Sequence, residues 1–167
     1  MFVILFIILQ LHSVNNSELL KDARNNFLQV TTMEAAEYKG DLWLDSDNTT
    51  LQAYGACMYF MQARYAKNPI TKWSRFKKGK KKLDQLISEN TNNLEFRYLR
   101  FLFQSEMPEF LGYHENKEGD FSFVLNHIDE EQYSNDLKCL FLENISKVEQ
   151  LTSDQKNKIN KKIEKCS

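Results

Sequence analysis

The sequence predicts an all-α fold of seven or eight helices packed as successive antiparallel hairpins, and three observations lead there. Only 5 Gly and 2 Pro occur in 167 residues, and the pairs Asn-Gly, Asp-Gly and Gly-Gly are missing. A sandwich or barrel needs such punctuation every ~8–12 residues. Apolar residues recur at helical spacing along most of the chain. Segment after segment opens with Thr, Asn or Asp and carries Glu or Gln three residues on, the spacing of a capping box. Hydrophobic residues make up 42% and charged residues 27%, with 22 Lys+Arg against 23 Asp+Glu. That balance excludes a disordered or strongly polyionic chain. It suits one helical domain over 17–167 whose single core needs no metal to staple it.

The first helix is expected from Ser17, a capping residue, with Leu19, Leu20, Ala23, Phe27 and Val30 as its stripe. A second runs from Thr32 to about Lys39, with Gly40 as its stop signal. A third starts at Thr49, with Gln52 in box position, and continues to about Ala66. It is apolar nearly all round, from Leu51 through Tyr65, which predicts a central helix covered on several sides. Asn68-Pro69 ends it. From Ile70 to Glu89 the pattern puts Trp73, Phe76, Gly79, Leu83, Leu86 and Ile87 on one side and lysines elsewhere. Asn92 with Glu95 then opens an aromatic-rich helix over Leu94–Phe103. A short helix is expected around Phe121–His127, and a long one capped by Asp129 with Gln132. Thr152 with Gln155 opens a lysine-rich terminal helix.

Around the fourth and fifth of these helices the residues Gly79, Leu83, Leu86-Ile87, Glu89 to Glu95 and Arg97-Tyr98-Leu99 stand in a telling order. They resemble the junction between consecutive tetratricopeptide repeats, where one helix ends in a polar turn and an aromatic-rich helix follows. Thr91 occupies the place where that family usually has proline, and no 34-residue period recurs, so the resemblance covers one helix pair. Over most of its length the chain is also similar to small exported helical proteins of Gram-negative bacteria. This second likeness implies export and helical hairpins, and it carries over no functional residues.

Residues 1–16 read as a signal peptide or N-terminal apolar segment. The run Met1–Leu9 has the length of a signal h-region, shorter than the roughly 20 residues of a membrane span. No Lys or Arg precedes it, so the signal is atypical or the true start lies upstream. Export to the periplasm or cell envelope is the expectation. Of the three cysteines, Cys57, Cys139 and Cys166, one pair is possible in an oxidising compartment. Cys139 with Cys166 is the better pair because neither lies deep in an apolar run. The odd count favours three unpaired thiols, with Cys57 a small core residue.

Charge is segregated along the chain. Lys72, Arg75, Lys77, Lys78, Lys80, Lys81 and Lys82 fall within one short stretch, whereas Glu106 to Asp136 holds many acids and a single Lys117. The basic run suits an acidic partner or an anionic membrane surface. Nucleic acid is set aside, since an exported protein meets little of it and Trp73 and Phe76 fall on the apolar stripe. A solvated helix face is the simplest account. The loop residues Phe110, Leu111 and Tyr113 lie outside any periodic helix and either cap the core or form a contact surface. Arg97 and Arg100, set among aromatics, need carboxylate partners if buried, and Glu95, Glu34 and Glu37 are the candidates.

Catalytic signals are sparse. No nucleophile elbow, phosphate loop or dinucleotide fingerprint is present. His114 with Glu115, and His127 with Asp129 and Glu130, are the only groups that could meet on a divalent metal, and loop and cap roles explain them equally well. Neither Cys139 nor its neighbour His127 shows a sign of nucleophile activation. No cofactor is expected. The sequence thus favours a non-enzymatic interaction module of the cell envelope that binds a protein or peptide through Lys77, Lys78, Lys81, Lys82, Phe110, Leu111 and Tyr113. The alternative is a carrier of an apolar small molecule or lipid in an aromatic-lined cavity.

Overall fold

The computed structural model describes residues 16–130 and 132–166, and every regular element among them is helical. The expected signal segment lies outside the described residues except for Asn16. The chain divides into two compact units, Met1–Glu89 and Asn90–Ser167. The boundary coincides with the polar stretch between the fourth and fifth helices. Among the described residues no helix is long and apolar enough to cross a membrane.

In the first unit, α1 covers residues 16–26 and runs into a single 3-10 turn, Phe27–Gln29. Asn16 is already helical, so Ser17 sits inside α1 and is not its cap. α2 spans Met33–Leu44, and the Thr32 side chain accepts a hydrogen bond from the Ala35 amide. Gly40 does not end it. A Cβ there would lie 3.1 Å from Gln62 Nε2 and 3.2 Å from Met58 Cβ, so the missing side chain lets α2 approach the next helix closely.

That next helix, α3 (Thr49–Tyr65), starts at the expected residue, but its cap lies one residue earlier than the sequence suggests. Asn48 is the cap and accepts from the Thr50 and Leu51 amides, while Gln52 donates instead to the Ser46 carbonyl. α3 is central, as its all-round apolarity requires. It packs against α2 and against α4 (Pro69–Glu89) through the short connections 45–48 and 66–68. Gly55 and Gly79 mark the crossings. A Cβ on Gly55 would come within 2.7 Å of Leu44 Cγ, and one on Gly79 within 3.0 Å of the Ala56 carbonyl oxygen. Cys57 is buried and free, and burial pushes its thiol pKa well up.

The second unit starts with α5 (Leu94–Glu106), capped by Asn93 rather than Asn92, since the Asn93 side chain reaches the Phe96 amide. α5 packs with α6 (Lys117–His127), and α7 (Asn135–Ser146) packs with α8 (Ser153–Ile163). Asp129 does not cap α7, because Ser134 does. Asp129 instead accepts from Lys162 on α8 at 2.7 Å. α7 stops at Ser146, and Val148 and Leu151 are buried in the connection that follows. The box at Thr152 and Gln155 forms as expected.

A disulfide joins Cys139 on α7 to Cys166 in the terminal turn Glu164–Cys166. This overturns the expectation of three free thiols. Counting cysteines gives no weight to a turn of chain after α8 that returns to α7, and that return brings the two Cα atoms to 5.7 Å.

Candidate functional site

α4 carries the basic face. Its buried positions Phe76, Gly79, Leu83, Leu86 and Ile87 follow helical spacing, so the residues between them are turned outward. Three of the seven cations in this run have partners within the first unit. Arg75 bonds Glu37 at 2.9 Å, Lys80 bonds Asp84 at 2.7 Å, and Lys82 donates to Gln52 Oε1 at 2.9 Å. Lys82 is therefore a structural tie between α4 and α3 and leaves the expected partner surface. Lys72, Lys77, Lys78 and Lys81 are exposed and make no ion pair among the described residues.

Trp73 departs from its expected place on the buried stripe. It is 47% exposed, stacked on the buried Phe76 at 5.4 Å, with Lys77 Nζ 5.6 Å from its ring centroid. Ile70, one turn earlier, is 79% exposed. Helical spacing places Trp73 at the edge of the stripe, and periodicity alone does not say on which side of that edge the ring falls.

The loop after α5 is split in its roles. Phe110 is 86% exposed and Leu111 half-buried, but Tyr113 is buried at 2%. Tyr113 therefore caps the core and is corrected out of the contact surface. Gly112 adopts the left-handed conformation, φ 62°, between the two. That turn sends Phe110 and Tyr113 to opposite environments.

Sequence reasoning missed a groove in the first unit. It has a volume of about 780 Å3 and is lined by Asn16, Leu19, Tyr38, Asp41, Leu42, Leu44, Asp45, Ser46 and Tyr59. Tyr38 is 71% exposed and Leu42 is also exposed. Asp41 and Asp45, one turn apart on the α2 side of the groove, are exposed and have no ion-pair partner among the described residues. The available signal was the spacing Tyr38, Leu42 and Asp41, Asp45, a second stripe on a helix whose first stripe fills the core.

In the second unit Arg100 grips Asp120 with two hydrogen bonds, Nε at 2.6 Å and Nη2 at 2.9 Å, and Arg97 adds a third at 3.2 Å. Asp120 is fully buried. Of the expected partners of these arginines, Glu37 pairs with Arg75 and Glu34 is exposed, whereas Glu95 is buried. The Arg97 guanidinium also lies over the Phe123 ring at 4.2 Å. Both histidines have backbone partners: His114 meets the Pro108 carbonyl and His127 the Phe123 carbonyl. Among the described residues no group of three or more His, Cys, Asp and Glu side chains is placed to hold a metal ion.

The aromatic residues largely meet one another. Phe27 and Trp43 pack on Tyr54 in the first unit, and Tyr98 stacks on Phe141 at 4.2 Å in the second. Fold and surfaces together define an all-α protein with an open amphipathic groove and a lysine-rich helix face. Comparison of the chain with family models, with curated proteins and with solved structures yields no match.

Proposed function

We propose that the protein is a non-enzymatic, exported interaction module of the cell envelope that holds a protein or peptide segment. The observation that carries this reading is the groove beside α2. Tyr38 and Leu42 offer apolar surface to solvent next to the exposed carboxylates Asp41 and Asp45. A segment that alternates basic and apolar side chains matches both features. The Cys139–Cys166 bridge suits an oxidising compartment, in line with export. Side-by-side packing of α2, α3 and α4 through short connections, and of α5 with α6 and α7 with α8, supports a tetratricopeptide-like array of antiparallel hairpins. The carrier reading draws less support, because the rings that would line its cavity pack against each other.

A photo-crosslinking side chain at Leu42 tests the reading in intact cells that make the protein. The expected result is one recurrent polypeptide adduct in the envelope fraction, lost when Asp41→Lys and Asp45→Lys are added. Adducts no more frequent than from a crosslinker on the exposed Lys156 of α8, or adducts with lipid in place of polypeptide, would reject it.

A further inference from the structure

We propose that the outer face of α4 docks the protein on a membrane surface rich in anionic lipid headgroups. This surface adjoins the α2 groove at Lys78, whose Nζ lies 5.8 Å from the ring centroid of the groove residue Tyr59, and the vesicle and crosslinking tests let the two readings fail independently. The charged members of the face are Lys77, Lys78 and Lys81, and its apolar members are Ile70 and Trp73, all exposed, whereas Lys72 follows the line of Phe76, Gly79 and Leu83 and is exposed only at the start of the helix. Ile70, Trp73, Lys77 and Lys81 follow one another at three- and four-residue steps along a single line of the helix. α4 has 21 residues and is about 32 Å long at 1.5 Å per residue, so the line can lie flat on a bilayer. The whole chain carries a net charge of only −1, and the attraction belongs to this face rather than to the molecule.

Three features favour a lipid surface over an acidic protein. The cations of this face are all lysines, and the one arginine of the run is committed to Glu37. Protein interfaces are depleted of Lys and enriched in Arg, whose planar fork needs a partner of fixed geometry. Lysines act as point charges on long stems and follow headgroups that have no fixed geometry. Trp73 supplies the indole that is enriched at membrane interfaces, and its stack on Phe76 holds it in place. That stack and the Lys77 ammonium above the ring occupy the surface a nucleic acid base would need.

The test uses the mature protein as cells accumulate it, with vesicles of phosphatidylcholine alone and of phosphatidylcholine mixed with phosphatidylglycerol. Trp43 is fully buried, so lipid-dependent changes in tryptophan emission report on Trp73. Partitioning is expected to be stronger on the anionic vesicles, to weaken with added salt, and to be accompanied by a blue shift of Trp73. Changing Lys77, Lys78 and Lys81 to Gln should lower partitioning about fivefold per lysine, the equivalent of about 1 kcal/mol each. All three are exposed, so the helical signal and the unfolding midpoint serve as controls that the variant is folded. Equal binding to both vesicle types, equal binding by the Lys→Gln variant, or binding that leaves Trp73 emission unmoved would overturn the proposal. Envelope retention that needs the three lysines without any vesicle binding would assign the face to an acidic protein instead.

Discussion

The two units hold their helices together by different means. In the first, α2, α3 and α4 cross at Gly40, Gly55 and Gly79, where a Cβ would lie 2.7–3.1 Å from the nearest atom of the neighbouring helix. Its ion pairs, Asp22 with Lys39 and Arg75 with Glu37, are partly exposed. In the second, a fully buried Asp120 is clasped by Arg100, Gln155 of α8 reaches Glu118 of α6, and a disulfide ties the terminal turn to α7. Helix length differs in the same direction at the centre of each unit. α3 and α4 have 17 and 21 residues, whereas α5, α6, α7 and α8 have 13, 11, 12 and 11, and only α2, with 12, is as short in the first unit's crossings. Short helices present less apolar surface to their neighbours, so polar and covalent links take a larger share of the work.

The sharpest way to break that contrast is to remove one carboxylate from each unit. Asp120→Ala removes the buried carboxylate that accepts two hydrogen bonds from Arg100 and one from Arg97, and stability should fall by about 3–5 kcal/mol. Glu37→Ala removes a partly exposed partner of Arg75 and should cost less than about 1 kcal/mol. Denaturant titration gives both values, and amide exchange locates the loss, which for Asp120→Ala should concentrate in residues 94–127. Similar costs for the two variants would mean that the buried clasp is no more than a surface pair in its effect.

Glycine substitution probes the other side of the comparison. Gly55→Ala puts a methyl against Leu44 Cγ and only 3.0 Å from the Leu44 amide nitrogen. Overpacking against backbone that cannot move aside should cost about 1–3 kcal/mol. Gly119→Ala, in α6 of the second unit, meets nothing within 4 Å and should gain about 0.5–1 kcal/mol from helix propensity. Opposite signs in thermal unfolding would show that glycine is a packing device in the first unit only.

Helical class and the central place of α3 were legible because both rest on periodicity, which is local in sequence. Cap assignments slipped by one residue at Asn48 and Asn93, where two adjacent Asx or Thr residues compete and the backbone entering the helix decides between them. Gly40 was read as a stop because a stop and a close crossing look alike until the neighbouring helix is in view. The partner of Arg100 was illegible for a related reason. Asp120 lies twenty residues away on a different helix, and no local pattern distinguishes it from the exposed acids around it. Of the expected docking residues, Lys77, Lys78, Lys81 and Phe110 are exposed and Leu111 is half-buried, while Lys82 and Tyr113 are engaged elsewhere. The groove escaped notice since its walls come from α1, α2 and α3 together.

The smallest expected effect concerns acid, and it tests whether the units also share a behaviour. The hydrogen bond from Lys162 holds the Asp129 carboxyl below its ordinary 3.8, against a smaller opposing effect of burial, and Lys165 and Lys138 assist by charge. In the first unit burial alone would raise Asp22, but hydrogen bonds from Lys39 and Asn26 outweigh it and hold this carboxyl low as well. A carboxyl whose pKa is lower in the folded state binds protons more tightly when unfolded. Each pair therefore contributes stability above pH 3.8, and the contribution is lost as pH falls through the folded value beneath it. The Asp129 side chain is 65% exposed, so solvent screening keeps its share under about 0.5 kcal/mol. Carboxyl NMR titration should find both aspartates below 3.8. Lys162→Ala should return Asp129 to its ordinary range and leave Asp22 unmoved, and Lys39→Ala should do the converse. An Asp129 that titrates normally in the unaltered protein would remove the Lys162 tie from the polar links of the second unit, and leave the Asp120 clasp, the Gln155–Glu118 bond and the disulfide to carry the contrast.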